Sequence, residues 1–233
     1  MHIKTYSYRF AEEILQNEKH REAYDEILEI CRNCPIPRYE GKSKTQSNLD
    51  VVQQLMNTYF FEAFKQKGWD DEPFATPDQT EDALRADFRK TFHKDAEYGP
   101  ITIQIEVEFG NVASSYRNYF KFQLSYSYDM TDLCVLIVPS QHLCTRIDSG
   151  VSNFEKVLRE IPSAKLSVTV PTLVIGLFDV DDDGVFVEDW NVKDLCVDLD
   201  IVKGSKKETH EAHTKLILEY INKLKDVLVI DDK

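Results

Sequence analysis

Between Ile101 and Phe109 the side chains change character at every step. Ile101, Ile103, Ile105, Val107 and Phe109 are apolar, whereas Thr102, Gln104, Glu106 and Glu108 are polar. A period of two fits a β-strand with one buried face and excludes a helix, whose faces repeat about every 3.6 residues. Tyr98-Gly99-Pro100 supplies a turn just before this strand, which makes Phe92–Ala96 its expected hairpin partner. Two continuous apolar runs, Leu133–Pro139 and Thr172–Phe178, read as strands buried on both faces.

Helical spacing surrounds these strands. Ala11–Asn33 carries apolar residues near helical steps and stops at Pro35 and Pro37. Leu49, Val52, Met56, Tyr59, Ala63 and Lys67 form the next stripe, with Ser47 or Asn48 as its cap and Gly68 as its stop. Thr80–Thr91, Asn111–Ser127, Ser140–Arg146, Ser152–Glu160 and Ser205–Val227 complete the helical candidates. The order predicts an α/β protein with a central mixed β-sheet flanked by α-helices, and it contains no internal repeat.

A chain of 233 residues fits one domain, 1–233. No run approaches the roughly 18 apolar residues that span a bilayer, and the start, MHIKTYSYRFAEE, is too polar for a signal, so a soluble cytoplasmic protein with no membrane contact is expected. Five cysteines, an odd number, argue for a reducing compartment. Cys31 and Cys34 have the spacing of half a zinc site, but nothing completes it, and ordinary thiols at a helix end are expected. The formal charge of -13 is unpromising for phosphate binding until its distribution is considered. Asp179–Asp200 holds nine acids and one lysine, whereas Asn111–Ser127 holds Arg117 and Lys121 with no acid.

Glu106 and Glu108 stand two residues apart on one strand, so their side chains leave the same face, roughly 6.5 to 7 Å apart along the chain. Their mutual repulsion would be relieved by a divalent cation, and Mg²⁺ prefers such hard oxygen ligands. A solvated strand face is the plain alternative. A third carboxylate across the hairpin would strengthen the metal reading: Asp95 lies there, with Asp87 as the substitute if the hairpin is drawn differently.

An aspartate, a hairpin and then Ile105-Glu106-Val107-Glu108-Phe109 resemble the catalytic hairpin of the PD-(D/E)xK nuclease superfamily. The blocks IEVEFGNVASSYRNYFKFQL, LCVLIVPSQHLC, DSGVSNFEKV and PTLVIGL resemble, in order and spacing, those of the BamHI/BglII/BstYI-like type II restriction endonucleases. The similarity runs from about Met1 to Leu177, leaving the acidic loop and terminal helix of 179–233 outside it.

This resemblance implies a restriction-endonuclease-like fold and a homodimer that cuts double-stranded DNA at a short palindrome with a GATC core. It implies Mg²⁺ held by Asp95, Glu106 and the carbonyl of Val107, and catalytic roles for Asp95, Glu106 and Glu108. Glu108 stands where most of the superfamily has lysine, so it would accept the proton of the attacking water or bind a second metal. DNA contact is implied for Asn111, Ser114, Arg117, Ser149 and Gly150. Asn pairs well with adenine and Arg with guanine, although Asn111 could equally cap a helix. Ser149-Gly150 replaces an Asp-Arg pair of BamHI, which favours different reading of the outer bases. A repair or structure-specific nuclease of the same superfamily, and a relative that binds without cutting, are the competing readings.

Two other signals carry less. The run Asp179–Gly184 opens like a calcium loop but has Trp190 at the twelfth position, so an acidic hairpin is expected. His210 and His213 are expected to be solvated surface residues.

Overall fold

The computed structural model describes residues 1–93, 99–164, 167–195, 198, 200 and 207–231, with the backbone alone at 114, 207 and 227–231. Strands are β1 (His2–Tyr8), β2 (Pro37–Arg38), β3 (Asp70–Asp71), β4 (Phe88–Phe92), β5 (Ile101–Val107), β6 (Leu133–Pro139), β7 (Thr172–Phe178) and β8 (Trp190–Asn191). Helices are α1 (Ala11–Gln16), α2 (Arg21–Arg32), α3 (Gln53–Gln66), α4 (Val112–Ser127), α5 (Gln141–Ile147), α6 (Phe154–Glu160) and α7 (Lys207–Asp231).

Six strands form one mixed sheet in the order β1-β7-β6-β5-β4-β3. β5, β6 and β7 run parallel, and antiparallel strands flank them on both sides. The apolar runs of β6 and β7 serve two cores at once. Leu133, Val135, Ile137, Leu173 and Ile175 pack with α2 and α3, while Cys134, Leu136, Val138 and Val174 pack with Tyr119 and Phe122 of α4 and Phe154 of α6. This two-sided burial is the physical reason that these strands read as unbroken apolar runs. Gly176 is required by the second core: a Cβ there would lie 2.6 Å from Phe154 Cγ. The mixed sheet between helices agrees with the expected class.

Several expected elements differ. Thr80–Thr91 is no helix, and β5 pairs with Phe88–Phe92; of the expected partner Phe92–Ala96, residues 94–96 lie outside the described residues. Phe88 pairs opposite Ile105 and Phe92 opposite Ile101, so the alternation of Phe88, Lys90 and Phe92 is the governing period. Aromatic packing fixes that register, with Phe88 against Phe64 and Phe92 against Trp69. The third helix starts at Gln53 without a side-chain cap, because Val51 and Val52 are extended and buried, their amides bound to the carbonyls of Arg146 and Pro37. At its other end Gly68 (φ +78°) donates to Lys65, the expected left-handed stop.

β1 comes from a segment to which the sequence assigns no element, and it pairs antiparallel with β7 along its full length. The tail is tied to the body: β8 pairs with β2, and Trp190 packs on Tyr220 of α7. His213 is buried, not solvated, since Thr209, His213, Ile217 and Ile221 form one inward stripe at four-residue steps. Cys31, Cys34, Cys134 and Cys144 are free thiols. No described helix is long and apolar enough to cross a membrane.

Candidate active site

β5 carries Ile103 and Ile105 into the core of α2 and α3, so Gln104 and Glu106 face the other side, under α4. That face is not solvated. Glu106 is 0% exposed and Gln104 likewise, which replaces the expected strand with one wet face by a strand covered on both. A buried carboxylate needs partners, and Glu106 has two. Lys121 of α4 ion-pairs with its Oε2, and Gln104 Nε2 donates to its Oε1 at 3.3 Å. Gln104 is itself oriented, because its Oε1 accepts from Arg89 Nη2 at 2.9 Å. β4, β5 and α4 therefore fix one carboxylate together.

Asp87 stands just before β4, and its Oδ2 accepts the Val107 amide at 2.7 Å. The bond holds its carboxylate at the end of β5, beside Glu106. Burial raises the pKa of Asp87 against the opposing pull of Lys121 and the Val107 amide. Burial, reinforced by the Asp87 charge, pushes Glu106 up to about 8 despite Lys121 and Gln104. Glu108 follows β5, its amide donating to Ile137 at 2.9 Å. Its Oε1 accepts from Gly110 N and its Oε2 from Asn118 Nδ2, at 2.6 and 3.0 Å. Burial also raises the pKa of Glu108, with these two donors pulling the other way.

Asp87, Val107, Glu108, Asn118 and Lys121 line one open cleft with Glu81, Arg85 and Arg117 on its walls. Among the described residues no three His, Cys, Asp or Glu side chains form a ready-made metal cluster. Mg²⁺ does not need one, since it commonly binds through one or two carboxylates and completes its shell with water and substrate phosphate. Asp87 and Glu106, hard oxygen donors whose proximity costs energy without a cation, fit that pattern. Asp95 lies outside the described residues.

The residues read as DNA contacts fall in two places. Asn111 and Gly150 are neighbours: Val112 N donates to Gly150 O at 3.1 Å, and Asn111 bridges to Val151. Asn111 Oδ1 accepts from Ala113 N at 2.9 Å, the capping role that sequence reading left open. Ser149 is exposed beside Gly150, and the side chain of Ser114 lies outside what is described. Arg117 is exposed on the cleft wall one turn further along α4.

Sequence reading missed Lys121, Asn118, Gln104 and Arg89 as parts of the site. A signal existed: Ser115, Asn118, Lys121 and Ser125 form a buried polar stripe on α4, unusual for a helix packed on a sheet. It also missed Glu72, which lines a neighbouring pocket with Asp87 and has a left-handed backbone (φ 48°).

Among curated proteins none matches the chain in sequence. Two solved structures resemble it in fold: restriction endonuclease BglII complexed with a DNA 16-mer (TM-score 0.61, 17% identity, covering 78% of each chain) and free BglII (TM-score 0.51, 19% identity, covering 78% of this chain and 81% of that one). The family model of restriction endonuclease BglII/BglIII matches residues 3–177. With three quarters of its length inside that match, the chain belongs to the BglII/BglIII family of type II restriction endonucleases.

Proposed function

We propose that this protein is a homodimeric, Mg²⁺-dependent cytoplasmic endonuclease that hydrolyses double-stranded DNA at a short palindrome with a GATC core. The observation that carries the reading is that Asp87 and Glu108 line a cleft whose walls include Arg85 and Arg117, with Glu106 buried behind them on the Lys121 that also lines it. Carboxylates suited to a cation and guanidinium groups suited to phosphate meet at one place, although the whole chain bears -13. The solved BglII complex with DNA supports a duplex as the substrate, and the resemblance of the sequence blocks supports the GATC core.

Asp87, Glu106 and the Val107 carbonyl would hold Mg²⁺. When bound, it would acidify a coordinated water and offset charge on the phosphate oxygens. Glu108 accepts the proton of the attacking water: its two hydrogen bonds leave lone pairs open, and burial raises its pKa. Arg117 can donate two hydrogen bonds to a guanine edge, Asn111 can offer its amide donor and acceptor to an adenine edge, and exposed Ser149-Gly150 adjoins Asn111. Tyr116 and Phe120, 51% and 59% exposed and one turn apart on α4, supply an apolar face for the second protomer.

Incubation of the purified protein with plasmid and Mg²⁺ tests the reading. Discrete fragments that end at one GATC-centred palindrome are expected. Binding without cutting identifies an inactive relative, and cutting without sequence preference identifies a structure-directed nuclease. Either result overturns the proposal.

A further inference from the structure

The three site carboxylates share one nearby cation, Lys121, which influences Asp87, Glu106 and Glu108 alike. Its side chain is 9% exposed and is held by a hydrogen bond to Glu106. An ammonium has three N–H donors. Lys121 makes no other hydrogen bond among the described residues, yet it lines the cleft. Two N–H donors of the ammonium, which Glu106 holds from behind, are thus left for the cleft where a phosphodiester would lie. A merely structural lysine would be expected to spend its donors on the protein, as Lys42 does on the carbonyls of Val51 and Ile147.

We infer that Lys121 is a catalytic residue that Glu106 aims at the substrate, donating to a non-bridging oxygen of the scissile phosphate. The inference rests on the nuclease reading above. In the step it assists, the water oxygen bonds to phosphorus, the ester P–O bond breaks, Glu108 takes the water's proton and solvent protonates the leaving oxygen. Lys121 transfers no proton; it offsets charge that grows on the phosphate, so its effect belongs to the transition state. With Mg²⁺ bound, Lys121 would share Glu106 with it, and ammonium and metal would repel each other.

Lys121→Gln keeps a donor for Glu106 and removes the charge; Lys121→Arg keeps the charge. Under single turnover with saturating Mg²⁺, Lys121→Gln is expected to cut at least about 100-fold more slowly, while its duplex affinity in Ca²⁺ stays within about threefold. Lys121→Arg should recover at least about tenfold of that loss. A Gln variant within about fivefold of the parent rate, a rate loss matched by lost affinity, or an Arg variant no better than Gln overturns the inference. Lys121→Met stands in if the Gln variant does not fold, with the same expectations.

A second measurement does not use cleavage. Mn²⁺ binding to the protein alone, followed by the EPR signal of the free ion, should tighten at least about threefold in Lys121→Gln. Unchanged or weaker binding overturns the sharing of Glu106. If the unmodified protein cuts no DNA, the nuclease reading fails, and the Mn²⁺ measurement still judges Lys121.

Discussion

Asp87 accepts a 2.7 Å hydrogen bond from the amide of Val107, the residue between the two glutamates. One bond to the backbone thereby places the carboxylate just before β4 at the end of β5, beside Glu106 and Glu108. Asp87→Asn should lower the single-turnover cleavage rate by about a thousandfold, because it removes a metal-binding charge. Asp95→Asn, tested in parallel, should change it by less than about tenfold. The opposite ranking would return the third carboxylate to Asp95.

Glu106→Gln should also abolish cutting, by about a thousandfold or more, while the protein still binds duplex in Ca²⁺. Gel-shift and cleavage assays on one preparation separate the two effects. Residual cutting near the parent rate would remove Glu106 from the site.

The parts of this fold legible in the sequence are those whose burial is simple. β6 and β7 are apolar throughout because both faces are covered, and β5 alternates because Ile103 and Ile105 need a core. β4 was not legible. Its residues Phe88–Phe92 mix aromatic and basic side chains, and only pairing with β5 and contacts to Phe64 and Trp69 select a strand. The polar face of β5 misleads for a functional reason: Gln104 and Glu106 look solvated by type, yet α4 buries them to fix their geometry. Glu106 and Glu108 were readable as a spaced pair, whereas Lys121 was not, since nothing in linear spacing shows that α4 lies across β5.

The acidic excess of the tail is partly explained by Arg146. It binds Asp50, Asp179 and Asp189 at 3.0, 3.1 and 2.9 Å, and Asp179, which also meets His142, is fully buried. Removing one partner of a buried ion pair leaves an uncompensated charge. Arg146→Ala should therefore cost about 3 to 5 kcal/mol in urea unfolding, more than an exposed arginine would. A loss below about 1 kcal/mol would show that the network is solvated.

Tyr116 and Phe120 give the proposed dimer a specific test. Phe120→Glu puts a charge on the exposed aromatic face of α4 without touching the buried stripe that holds the carboxylates. Sedimentation should show a dimer constant weakened at least tenfold, roughly the cost of a buried unpaired charge or more. An unchanged dimer would move the interface elsewhere.

The raised pKa of Glu106 sets a pH dependence of stability. An acid whose pKa is higher in the folded chain than in the unfolded chain contributes stability that is complete below the unfolded value, about 4.3. That contribution is lost as pH rises through the folded value of about 8. Asp87 and Glu108 are shifted in the same direction and add to the effect. In EDTA the melting temperature should therefore fall between pH 5 and pH 8.5, by about 5 °C or more for a chain of this size. The overall negative charge also favours low pH, so the decisive comparison is Glu106→Gln, which should show a smaller fall. Mg²⁺ should restore stability most at the alkaline end, where the carboxylates are ionised and need no proton displaced. Equal slopes for the parent and the Gln variant would mean that Glu106 is ionised at little cost, and the strained carboxylate pair with Asp87 would no longer be the reason for a cation at this site.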